Sequence, residues 1–153
     1  MNTMILLNIF LIAHLSGLAL MAGTTVADTV TFNTFSKSFQ KDGMPSLTLL
    51  ALMDKFSALL GIGAALLIIS GTGMMIITHG AFAHQIWFKV KLVLILTLIL
   101  NGFLVGARQK SKLTKNLDAK ERAENAIGKI KLFFLVQMGI FLTIILLSIF
   151  KFN

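Results

Sequence analysis

The chain has 153 residues, 56% hydrophobic and only 13% charged, with a mean hydropathy of +0.88. Soluble domains carry about 25% charged residues, so a water-soluble enzyme or nucleic-acid binder is excluded in spite of a net charge of +8. The lack of cysteine removes disulfides, thiolate metal sites and cysteine nucleophiles.

A membrane helix needs about 20 mostly apolar residues to cross about 30 Å of hydrocarbon. The first stretch that qualifies is 4–22, Met4 to Ala22, which holds no charged residue. Thr25-Val26-Ala27 after it resembles a signal-peptide cleavage site, but no Lys or Arg precedes the run. A secretory signal normally carries one there, so the segment is expected to be a retained helix. Gly23 to Ser46 reads as a connection bearing Lys37 and Lys41, with the sole proline, Pro45, in a turn at its end.

The second helix is expected over 46–78, with Asp54 and Lys55 as an interfacial pair before the uncharged run Phe56 to Thr78. On it Asp54, Gly61, Ala65, Ile68, Thr72, Met75 and His79 form one stripe at helical spacing, expected to face neighbouring helices. A short uncharged link, His79 to Gln85, leads antiparallel into the third helix, 86–107, where Lys91, Leu98 and Gly102 share a face. A basic loop follows at 108–129, and the fourth helix runs over 130–150.

The loop and its edge hold Arg108, Lys110, Lys112, Lys115, Lys120, Arg122, Lys129 and Lys131 against Asp118, Glu121 and Glu124. Basic residues in short loops mark the cytoplasmic side, which places both termini on the outer side. The expectation is an all-α, polytopic transmembrane four-helix bundle forming a single domain over 1–153. The loop is a topology signal that also attracts anionic lipid. With no aromatic residue over 109–129 it offers no stacking platform, so no nucleic-acid partner is expected.

The chemistry rests on the few polar groups at membrane depth. His14 sits midway along the first helix among Ile12, Ala13, Leu15 and Leu18. An ionisable group there faces the bundle interior or a cavity, and neutral imidazole ligates metals or haem iron. The bland alternative is a neutral histidine hydrogen-bonded across helices. Lys91 lies about a turn inside the third helix and either snorkels outward or turns inward to hold a carboxylate or propionate. His79 and His84, with Met74 and Met75 before them, form a loose imidazole–thioether set of the kind that suits copper. Asn101 and Gln137 are expected to make interhelical hydrogen bonds.

Three segments carry a family resemblance. They are Ala13-His14-Leu15-Ser16-Gly17-Leu18; Leu52-Met53-Asp54-Lys55-Phe56 with the small-residue run Gly61 to Gly73; and Ile86-Trp87-Phe88-Lys89-Val90-Lys91-Leu92, followed by Gly106-Ala107-Arg108. Together they resemble the small, all-helical bacterial membrane protoporphyrinogen oxidases and their CopD-like relatives. The resemblance implies a multi-pass protein of the bacterial inner membrane with haem b or a porphyrin between its helices. It also implies that His14 and Lys91 correspond to the family's essential histidine and lysine, with Gly17 beside the cofactor and an oxidoreductase activity on a porphyrinogen. The sequence has Asn101-Gly102-Phe103 where the oxidases carry further histidine and aromatic residues. A copper-handling protein, or a ligand-free accessory subunit in a homo-oligomer or with a partner membrane subunit, are the other functions these residues allow.

Overall fold

The apolar run that opens the chain does not end its helix where its hydrophobicity ends. In the computed structural model, which describes residues 2–42, 46–81, 83–102, 108, 111–113 and 120–149, helix α1 spans Thr3–Asp42, 40 residues in all. The expected connection at Gly23 to Ser46 is therefore helical through Asp42. Two features of the sequence account for this. Met21, Thr25, Asp28, Phe32, Phe35 and Phe39 recur at spacings of four and three and are all buried, the pattern of a helix with one packed face. The hydroxyls of Thr25, Thr29 and Thr34 donate to the carbonyls of Met21, Thr25 and Val30, one turn back. Those bonds satisfy the hydroxyls without leaving the helix.

Among the described residues three more long helices follow: α2 over Leu47–Ile77, α3 over Ile86–Leu100 and α4 over Lys120–Ile149. The boundaries of α2 agree with the expected 46–78. Helix α4 starts ten residues earlier than the expected 130–150, so the C-terminal part of the basic segment 108–129 is helix, not loop. Ala123, Ala126, Ile127, Ile130 and Phe134 are buried at three- and four-residue spacings, and this stripe carries the helix past its charged residues. Helix α3 ends in a π-type turn at Asn101 and Gly102. The rest of the expected third helix (103–107), the turn at Gly43 to Pro45 and most of 109–119 lie outside the described residues.

Helices α1 and α2 form an antiparallel hairpin, the most extensive helix pairing among the described residues. Its register is fixed by Phe10 against Gly73, His14 against Ser70, and Gly17 and Met21 against Gly63. Helix α4 packs on both α3 and α1. The expected stripe on α2 is the wrong one. Asp54, Ala65, Ile68, Thr72 and Met75 are exposed, while Met53, Gly63, Ala64, Leu67 and Ser70 are buried against α1 and its neighbours.

Two cores result. One joins Met21, Ala64, Leu67, Leu98, Phe141 and Ile144 from all four helices. The other lies toward the C-terminal end of α1, where Phe32, Phe35, Phe39 and Met53 meet Leu113 and the first turns of α4. Phe32 and Phe134 pack ring to ring there, with centroids 5.5 Å apart. The outward faces carry large apolar side chains such as Ile12, Ile69, Ile76, Leu135 and Leu142, which suits contact with lipid. Among the described residues, three helices (α1, α2 and α4) are long and apolar enough to cross a membrane. The described α3 has 15 residues, about 22 Å of helix.

Candidate functional site

His14 is half-buried between α1 and α2. Its Nδ1 lies 3.0 Å from Ser70 Oγ, and the Leu67 carbonyl borders the same ring. The Ser70 hydroxyl carries one proton, and it donates that proton to the Leu66 carbonyl. Ser70 Oγ is then left to accept, so the proton between the two side chains belongs to His14 Nδ1. This arrangement assigns the imidazole the Nδ1–H tautomer, with its lone pair on Nε2. Gly71 contributes by absence: a Cβ there would stand 3.6 Å from His14 Cε1, so the ring edge rests against bare backbone.

Lys91 comes to the same neighbourhood from α3, with its ammonium within electrostatic reach of His14. Its direction follows from the helix. Trp87, one turn earlier, and Leu98, two turns later, are both buried, and Lys91 shares their face. Lys89 points the other way and is exposed. His14 and Lys91 thus lie within electrostatic reach of one another. Gly17 has a different surrounding: an added Cβ would lie 3.0 Å from Leu66 Cβ and 3.1 Å from the Gly63 carbonyl oxygen. It lies directly on the α2 backbone.

The hairpin histidines are not gathered. His79 and His84 are exposed on the turns after α2, and His79 takes a positive φ of 49°. Among the described residues no three His, Cys, Asp or Glu side chains are grouped to hold a metal ion. The polar pair Asn101 and Gln137 does form the expected interhelical bond, with Asn101 Nδ2 donating to Gln137 Oε1 at 3.2 Å.

Sequence reasoning missed Asp28. Read as part of a connection, it is instead 1% exposed on α1 and lines a cavity of about 190 Å³ between the helices. Thr25, Ser57 and Gln137 give the wall its other polar groups; Met21, Leu60, Ala64, Leu98 and the Phe133–Phe134 pair make most of the rest. Neither His14 nor Lys91 borders this space. The signal for Asp28 was its place in the same spacing as Phe32, Phe35 and Phe39.

No protein-family model, curated protein or solved structure matches the chain. The described residues are all-helical, with three helices long and apolar enough to cross a membrane, the build of an integral membrane protein.

Proposed function

We propose that the chain is a multi-pass protein of the bacterial inner membrane that binds haem b, or a porphyrin-like ligand, through His14 and Lys91. Four helices cross, with both termini outside and the basic ends inside. The length of α1 and the place of its basic residues support this orientation. Helix α1 is about 60 Å long by its 40 residues, twice the hydrocarbon thickness of about 30 Å. Its excess lies at the end with Lys37 and Lys41, beside the early turns of α4 with Lys129 and Lys131. Basic residues at that end favour the cytoplasmic side.

The observation that carries the ligand assignment is the His14–Ser70 contact at 3.0 Å. A metal-ligating histidine characteristically donates its second ring N–H to a neighbouring acceptor, which fixes tautomer and ring direction. Ser70 supplies that acceptor, so the donor chemistry of His14 would suit a ligand to haem iron. Lys91 adds a cation near the same ring, suited to an anionic propionate. Haem b, when bound, supplies one-electron redox chemistry. The chain's own part is to present Nε2 of His14, to neutralise carboxylate charge with Lys91 and to surround both with apolar side chains.

The test is the visible spectrum of the full chain purified in detergent. Native haem, or haem taken up from added hemin, produces a Soret band that His14→Ala abolishes and Lys91→Met weakens. A colourless preparation that takes up no hemin overturns the reading.

A further inference from the structure

The Asn101–Gln137 bond uses only one end of the Gln137 amide. Its Oε1 accepts from Asn101, while its Nε2 has no hydrogen-bond partner among the described residues. That nitrogen lies at the cavity wall: a Cβ on Gly102, which lines the same space, would stand 4.0 Å from it. Gln137 is only 4% exposed, so its N–H groups face the cavity and not bulk solvent. A buried donor without an acceptor is costly, and a guest that accepts from it removes that cost. We propose that this cavity binds a neutral one-ring aromatic carbonyl compound, the chemistry of a quinone head group, whose oxygen accepts from Gln137 Nε2.

The rest of the wall decides the guest's other properties. Asp28 and Ser57 have interactions of their own within the chain, and Thr25 gives its hydroxyl proton to the Met21 carbonyl. With the carboxylate engaged, the described wall holds no free counter-ion, and burying an unpaired charge is expensive. The guest is therefore neutral. Phe133 and Phe134 line the space with ring centroids 5.4 Å apart at 60°, an edge-on arrangement that a third ring can join. The volume is about 190 Å³; a cavity of about 150 Å³ admits benzene, so one substituted ring fits. Ser57 and Gly61 carry the wall to the protein surface, beside the outward-facing Leu59 and Ile62. A lipid-soluble guest enters there from the hydrocarbon. Since neither His14 nor Lys91 borders the cavity, this site stands or falls independently of the haem reading.

The full chain in detergent is titrated calorimetrically with acetophenone and, separately, with α-methylstyrene, which carries a methylene in place of the carbonyl oxygen. Heats of the same titrations into detergent alone are subtracted. The expected result is binding of the ketone roughly threefold to tenfold tighter than the alkene, the scale of one net hydrogen bond. The double variant Asn101→Leu with Gln137→Leu removes the donor without leaving the Asn101 amide unpaired, and it erases that preference. Gly61→Leu, at a cavity position where an added Cβ meets nothing within 4 Å, fills the space and abolishes binding of both. Should the double variant fail to fold, Gly61→Leu with the ketone–alkene comparison decides the matter. Equal affinity for the two probes, a preference that survives the double replacement, undiminished binding to Gly61→Leu, or no binding to the unaltered chain overturns the proposal.

Discussion

Gly17 and Gly63 meet reciprocally across the α1–α2 crossing: a Cβ on Gly17 would lie 3.1 Å from the Gly63 carbonyl oxygen, and one on Gly63 would lie 3.2 Å from that of Gly17. Backbone atoms cannot give way as a side-chain tip can. Alanine in a helix gains up to about 1 kcal/mol over glycine, and overpacking costs about 1–3 kcal/mol, so overpacking wins at Gly17. Gly17→Ala is expected to lower the thermal unfolding midpoint in detergent. Gly71→Ala, whose nearest neighbour would be the His14 ring at 3.6 Å, is expected to be neutral or stabilising. Equal midpoints for the two variants would show that the helices do not cross this closely.

In the proposed haem site Ser70 would act through His14. Its hydroxyl donates to the Leu66 carbonyl and accepts from His14 Nδ1, so Ser70→Ala frees the ring to rotate and to change tautomer. Loss of such an orienting partner typically lowers metal affinity about 10–100-fold. A hemin titration followed at the Soret band is expected to show that drop in Ser70→Ala without a change of helical content. An unchanged affinity would mean that the hydroxyl does not orient the imidazole.

The C-terminal half of α1 is tested by its phenylalanines. Phe35 is fully buried, and Ile127 and Ile130 belong to the same cluster. Truncating a buried Phe to Ala costs about 3–5 kcal/mol. The unaltered protein is expected to resist trypsin at Lys37 and Lys41, which are exposed but helical. Phe35→Ala is expected to open both sites. Rapid cleavage at both in the unaltered protein would restore a loop at this position.

The long apolar runs were plain in the sequence because bilayer-length hydrophobicity has few other readings, and α2 came within one residue at each end. The extensions of α1 and α4 were hidden for a physical reason. Beyond the hydrocarbon a helix needs only one apolar face, and the stripe ending in Phe32, Phe35 and Phe39 is diluted by Thr, Asn, Ser and Lys. The packed face of α2 was misread because small residues occur on both sides of it, and Gly63 and Ala64 differ from Gly61 and Ala65 only in rotation. His14 and Lys91 stood out as charge-capable groups in apolar surroundings. Asp28 did not, since its surroundings became apolar only when α4 was laid against α1.

Asn101 and Gln137 offer the last test, because the direction of the effect separates a real bond from mere proximity. Gln137 is buried and Asn101 half-buried at the π-type turn of α3, and they share one bond of 3.2 Å. Gln137→Leu leaves the Asn101 amide without this acceptor, a loss of about 1–3 kcal/mol for a buried group. Replacing both partners by Leu removes the unsatisfied donor as well, and such double replacements are often nearly neutral. Unfolding in detergent is therefore expected to rank the double variant above Gln137→Leu alone. Additive losses in the two single variants would mean that the bond contributes nothing, since sites that do not interact add.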